Sequence, residues 1–128
     1  MILLLDTCTF LWLNADAPEL STTARKLFSS PDNTVYLSAV SSWEIMIKHQ
    51  LGKLPLPDTP VEFVRNGRIL HHIEALPLTE AATWRLNELP NLHRDPFDRI
   101  LVCQALEHNM VVLTPDQLIR QYSIETAW

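Results

Sequence analysis

"ILLLD" at residues 2–6 and "VVLTPD" at residues 111–116 decide how this chain is read. Each is a short, continuous apolar run that stops at a carboxylate. Such a run, bounded by turn-forming residues, reads as a strand buried on both faces. "TVYLSA" (34–39) gives another strand, "HIEALPL" (72–78) is a candidate third, and "YSIETAW" (122–128) is a candidate short edge strand. Helical patterns lie between them. Ser21 caps "TTARKLFSS", and "SWEIMIKHQLGK" carries Trp43, Met46, Ile47 and Leu51 at helical spacing with Gly52 as its stop. "PVEFVRNGRIL" and "TEAATWRLNEL" follow, the second capped by Thr79. The helix in "HRDPFDRILVCQA" (93–105) buries Phe97, Ile100, Leu101 and Ala105, and a last short helix starts near Thr114 and Pro115. Strands alternating with helices predict an α/β fold with a mostly parallel central sheet, one domain over residues 1–128.

Composition narrows the function classes. The chain is 47% apolar and 20% charged, with a net charge of −5. That balance disfavours a protein that coats nucleic acid through a basic surface, yet leaves room for an enzyme whose acids gather at a metal. The only glycines, Gly52 and Gly67, cannot spell a Walker loop or a G-x-G-x-x-G turn. Cys8 and Cys103 form no ligand pair at C-x-x-C spacing and no disulfide framework, which predicts a reducing, cytoplasmic setting. "MILLL" is too short for a signal peptide or a membrane span, so no membrane association is expected.

Placed on this outline, the acids fall at element ends. Asp6 closes the first strand, Glu44 opens the helix after the second, Asp98 with Asp95 opens the helix before the fourth, and Asp116 follows the fourth. In a parallel α/β sheet, strand carboxyl ends and helix amino ends share one edge, where ligands bind. Taken singly, each acid has a local explanation. Asp95 is an N-cap before Pro96, Glu44 completes an S-x-x-E box with Ser41, Thr114 and Gln117 form a T-x-x-Q box around Asp116, and Asp6 caps the first helix. Taken together, the four segments bring carboxylates to one place, where they repel unless a cation intervenes. An all-oxygen donor set suits Mg²⁺ or Mn²⁺, and the histidines and cysteines lack zinc spacing.

The stretches "LLLDT…LW" (3–12), "LSAVSSWEIMIKHQLGKL" (37–54), "LPNLHRDPFDRILVCQA" (89–105) and "LTPD…I..Y" (113–122) resemble the PIN domain, and within it the VapC-type toxins of toxin–antitoxin pairs. The resemblance implies a three-layer α/β/α sandwich and an endoribonuclease whose catalytic acids are Asp6, Glu44, Asp98 and Asp116. It implies Mg²⁺, with Mn²⁺ able to substitute, as one or two ions. Asp6 and Asp98 are the expected ligands, Glu44 and Asp116 are further candidates, Asp95 reaches the ion through water at most, and Thr114 orients an acid from behind. RNA substrate, a cognate antitoxin with a helical segment and a basic side chain for the pocket, and a homodimer using helices around 21–30 and 42–51 are the implied partners. Cys8 departs from the histidine expected after "DT".

Other residues read more plainly. Arg94, Arg99 and Lys48 flank the acids and are RNA-contact candidates, although Arg99 also suits an ion pair with Asp95 and Lys48 one with Glu44. Lys53, Arg65 and Arg68 read as solvated charges. Trp12, Trp43 and Trp84 read as core, and His93 as a loop histidine without a role. The rival readings are a non-nuclease phosphoryl-transfer domain or a receiver-like Mg²⁺-binding switch. The first needs a second acid two residues after Asp6, where Cys8 stands. The second needs paired acids at the first strand and an aspartate ending a middle strand, and "HIEALPLT" has none.

Overall fold

The computed structural model describes residues 1–128. The first strand, β1 (Ile2–Leu5), is the sheet's centre. After it come α1 (Thr7–Ala15), α2 (Thr22–Ser29), β2 (Thr34–Ser38), α3 (Ala39–Gln50), α4 (Pro60–His71) and β3 (Ile73–Leu76). The chain then returns through α5 (Glu80–Trp84), a 3₁₀ turn (Arg85–Glu88) and α6 (Pro96–His108) to β4 (Val111–Leu113), a 3₁₀ turn (Ile119–Gln121) and β5 (Thr126–Ala127). The strand order is β3-β2-β1-β4-β5, and every pairing is parallel. The chain therefore leaves β1 toward one side of the sheet and comes back on the other. The switch lies between β1 and β4, the place where open α/β sheets bind ligands beyond the strand ends.

Alternation along the strands builds two cores. Leu3 and Leu5 of β1, with Val35 and Leu37 of β2, pack against Phe10, Leu13, Ala24 and Val64 of α1, α2 and α4. Leu4 faces the opposite side, where Leu101, Val102 and Ala105 of α6 meet Val112, Met110 and Tyr122. The result is the α/β/α sandwich, with an all-parallel sheet between helical layers. Gly67 sits where α4 crosses α1 so closely that a Cβ would lie 2.8 Å from Phe10 Cζ and 2.7 Å from Asn14 Oδ1. No helix is long and apolar enough to cross a membrane.

Several expectations need correction. β2 runs straight into α3, whose cap is Ser38 and not Ser41: Ser38 Oγ accepts from Val40 N at 3.0 Å. The helix thus starts before Ser41, and its buried face is Val40, Ser41, Glu44 and Ile45, leaving Trp43 (57%) and Leu51 (63%) exposed. Trp84 is 65% exposed because α5 ends there in a 3₁₀ turn that rotates the face. In α6 the fully buried run is Leu101–Ala105, with Phe97 and Ile100 only half-buried. Arg68 is not solvated: its guanidinium donates to Leu37 O at 3.1 Å and Glu74 O at 2.9 Å, tying α4 to β2 and β3. The expected last helix is the single 3₁₀ turn at Ile119–Gln121.

Candidate functional site

Asp6 is both strand end and helix cap. Its Oδ1 accepts from Thr9 N at 2.9 Å, and its Oδ2 accepts from the Thr114 hydroxyl at 2.5 Å. Thr9 in turn donates to Leu113 O at 2.9 Å, so α1 is fastened to the end of β4. Burial pushes the Asp6 carboxyl above its ordinary value, and the hydrogen bonds from Thr114 and Thr9 work against that. The Cys8 thiol lies 3.3 Å from Asp6 Oδ1. Burial first, then the field of Asp6, push that thiol up, so it stays protonated and donates.

Glu44 does not cap its helix. The earlier start of α3 carries it into the second turn and turns it inward, where it is buried beside α1. The Thr7 hydroxyl donates to Glu44 Oε1 at 2.6 Å and stands 3.0 Å from Ser41 Oγ. Lys48 is ion-paired with Glu44 Oε2. Burial works to lower the Lys48 pKa, but the hydrogen bond and charge of Glu44, with Asp95 and Asp98 behind it, outweigh that and hold it above the usual lysine value. Sequence reasoning missed Thr7 and read Ser41 as a helix cap, where the structure has it buried beside Thr7. Their signal was the hydroxyl directly after Asp6 and the one a turn before Glu44.

The start of α6 behaves as local rules require. Asp95 accepts from Phe97 N at 2.9 Å, Pro96 follows, and Asp98 occupies the first turn. Asp98 is 15% exposed, and its carboxyl is pushed up to about 8. Burial is the largest cause, followed by the fields of Asp95, Glu44, Asp6 and Asp116. The other expected acids therefore sit within electrostatic reach of Asp98. Asp116 Oδ1 accepts from Leu118 N at 2.8 Å and Ile119 N at 3.2 Å, so its carboxylate holds the backbone that leads into the 3₁₀ turn. Thr114 Oγ1 accepts from Asp116 N at 3.0 Å, and no T-x-x-Q box forms.

His93 does have a place. Its Nε2 is 3.0 Å from Asp98 Oδ2 and 3.4 Å from Asp116 Oδ2, and these atoms form a group within 4.8 Å of one another. The flanking cations differ among themselves. Arg99 donates to the Asn91 side chain and makes no ion pair with Asp95; Arg94 is exposed and unpaired. Both line a shallow groove of about 280 Å³ with Leu86, Pro96 and Ile100. Trp43 stands exposed with its ring edge-on to Phe97, centroids 4.9 Å apart.

A family model described as the PIN domain matches residues 3–125. No curated protein sequence matches significantly. Among solved structures, the fold is similar to that of VapBC2 from Rickettsia felis, determined on a DNA fragment from its promoter. The TM-score is 0.75 at 15% identity, covering 99% of this chain and 98% of that one. VapBC-1 from nontypeable Haemophilus influenzae gives 0.68 at 20% identity, covering 99% and 97%. The PIN domain endonuclease Utp24 gives 0.53 at 15% identity, covering 94% and 74%. At these identities the structural likeness is one of fold.

Proposed function

The chain belongs to the PIN domain family, and from that premise we propose that it is a Mg²⁺- or Mn²⁺-dependent endoribonuclease, the toxin of a toxin–antitoxin pair. The observation that carries the reading is the gathering of acids around Asp98 at the β1/β4 switch point, where burial first, and then the fields of Asp95, Glu44, Asp6 and Asp116, push its carboxyl up to about 8. Uncompensated carboxylates of this kind fit a hard divalent cation, and the hydroxyls around them add only oxygen. Asp6 and Asp98 are the proposed ligands, with Glu44 and Asp116 beside them. Asp95, whose carboxylate caps α6 through Phe97 N, contributes through water at most.

When bound, the cation would polarise a phosphoryl oxygen and make hydroxide available near neutral pH. The chain's own residues do the rest. Thr114 fixes the Asp6 carboxylate and Thr7 fixes Glu44, so neither acid must reorganise when substrate arrives. Lys48, Arg94 and Arg99 offset the repulsion between an acidic pocket and RNA by meeting phosphates at its rim. In-line attack of water on phosphorus breaks the bond to O3′, leaving a 5′-phosphate and a 3′-hydroxyl. An antitoxin helix presenting a basic side chain to the pocket, and a second copy of this chain, are the proposed protein partners. The exposed apolar side chains available for the latter are Trp43 on α3, Leu51 just past its end, and Val61, Ile69 and Leu70 on α4; α2 offers none of comparable size.

The test is cleavage of total cellular RNA by the purified chain with Mg²⁺ or Mn²⁺, with chelator, and with folded Asp6→Asn and Asp98→Asn variants. Discrete fragments that need metal and vanish in both variants support the reading. A folded, metal-bound wild type that cuts nothing overturns it.

A further inference from the structure

His93 offers a nitrogen to the pocket, but the ring's other nitrogen restricts what that nitrogen can do. Nδ1 lies 3.1 Å from the backbone N–H of Asp95, a group that can only donate. Nδ1 therefore holds a lone pair toward that N–H, and the ring proton is on Nε2. A proton on Nε2 leaves no lone pair there for a cation. It leaves a donor whose hydrogen bond goes to Asp116 Oδ2 at 3.4 Å, with Asp98 Oδ2 alongside at 3.0 Å.

The backbone around the ring is fastened as well. His93 N donates to the Tyr122 hydroxyl at 3.0 Å, and Tyr122 is buried in the layer beneath α6. Tyr122 closes the "LTPD…I..Y" stretch (113–122), and no other part of the site uses it. The segment that carries Asp116 thus also carries the hydroxyl that sets the loop bearing His93.

We propose that His93 is a positioning residue of the acidic pocket and not a ligand. Its Nε2–H, set by the Asp95 N–H and the Tyr122 hydroxyl, is given to Asp116 while the ring stands against Asp98, clasping the two carboxylates together, so a divalent cation is bound by oxygen atoms alone. The inference rests on the metal-pocket reading above, but its test does not use RNA cleavage.

Two substitutions separate the two ring nitrogens. His93→Gln keeps an N–H donor at the ε position. His93→Asn keeps an acceptor at the δ position, able to take the Asp95 N–H as an Asx turn, and loses the clasp. Mn²⁺ titration of the folded full-length chain is expected to give His93→Gln within about threefold of wild type. His93→Asn should bind about tenfold more weakly, the low end of what partners behind metal ligands contribute. Tyr122→Phe should fall between, at about threefold weaker. Equal affinity in His93→Asn and wild type overturns the proposal, as does His93→Gln binding as weakly as His93→Asn. Nitrogen-15 NMR of the wild-type imidazole, with and without saturating Mg²⁺, needs no variant to fold. Nε2 should be protonated and Nδ1 unprotonated in both states. Loss of the Nε2 proton on Mg²⁺ binding overturns this inference alone, whereas a wild type that binds neither ion overturns the pocket on which it rests.

Discussion

The second turn of α3 and the first turn of α6 each bring one acid to the pocket, and the two acids live very differently. Glu44 on α3 is buried with a donor at each oxygen, Thr7 on one and Lys48 on the other. Asp98 on α6 has four other carboxylates within electrostatic reach and accepts no hydrogen bond, since the His93 ring beside it at 3.0 Å gives its N–H to Asp116. One acid is compensated by the chain; the other is left for something the chain does not supply. The contrast lies in compensation: Glu44 is answered by donors from α1 and from its own helix, and Asp98 is not.

The sharpest way to break the comparison is Asp98→Asn. Loss of this acid is expected to lower RNA cleavage at least about 100-fold, the scale seen when a group stabilising transition-state charge is removed. The same substitution should raise the melting temperature of the cation-free chain at pH 8 by about 5 °C or more. The sign follows from protonation. The folded Asp98 carboxyl holds its proton up to about 8 against an ordinary value of 3.8, so the folded state is the more protonated across that window. Stability is therefore full below the lower value and is lost as pH rises toward the upper one. A cation-free wild type should melt lower at pH 8 than at pH 5, and Asp98→Asn should flatten that slope. Mg²⁺ at about 100 times its Kd should add roughly 2.7 kcal/mol at pH 8. A wild-type slope unchanged in the variant would remove Asp98 from the account.

Lys48→Met tests the compensated partner. It strands a buried carboxylate, but Lys48 is itself partly exposed, so the expected cost is about 1–3 kcal/mol by urea denaturation. Ser38→Ala and Ser41→Ala then test the boundary of α3. Loss of the Ser38 cap, which also donates to Gln104 Oε1 at 2.6 Å, should cost about 1–2 kcal/mol. Ser41→Ala should cost less, since no helix cap is lost; the reverse order would restore Ser41 as the cap. The smallest effect belongs to Arg99→Ala, expected to stay within about 0.5 kcal/mol in the same assay while weakening RNA binding.

How far each region was legible depended on the range of the forces that shape it. The start of α6 could be read because Asp95, Pro96 and Asp98 act on backbone groups within a few residues, and the structure keeps that arrangement. The caps Ser21 and Thr79 were legible for the same reason. The start of α3 was not. Two serines and an alternative box lay within one turn, and only direct entry from β2, with Ser38 also held by Gln104, selects between them. That shift turned Glu44 from a cap into a buried acid and Trp43 from core to surface. His93 was illegible because its partners lie on α6 and after β4, and the Tyr122 hydroxyl that sets its backbone is distant in sequence.

By itself, then, the sequence determined the α/β alternation, the strand-ending acids and most of the helix caps. Periodicity, chain stiffness and short-range hydrogen bonding act over a turn or a pleat, and a linear reading contains them. Tertiary structure alone decided which face of α3 docks, whether Arg68 meets solvent or strand carbonyls, and which nitrogen of His93 faces Asp98 and Asp116. Those outcomes depend on burial and on donors and acceptors distant in sequence, brought together only when β4 returns beside β1.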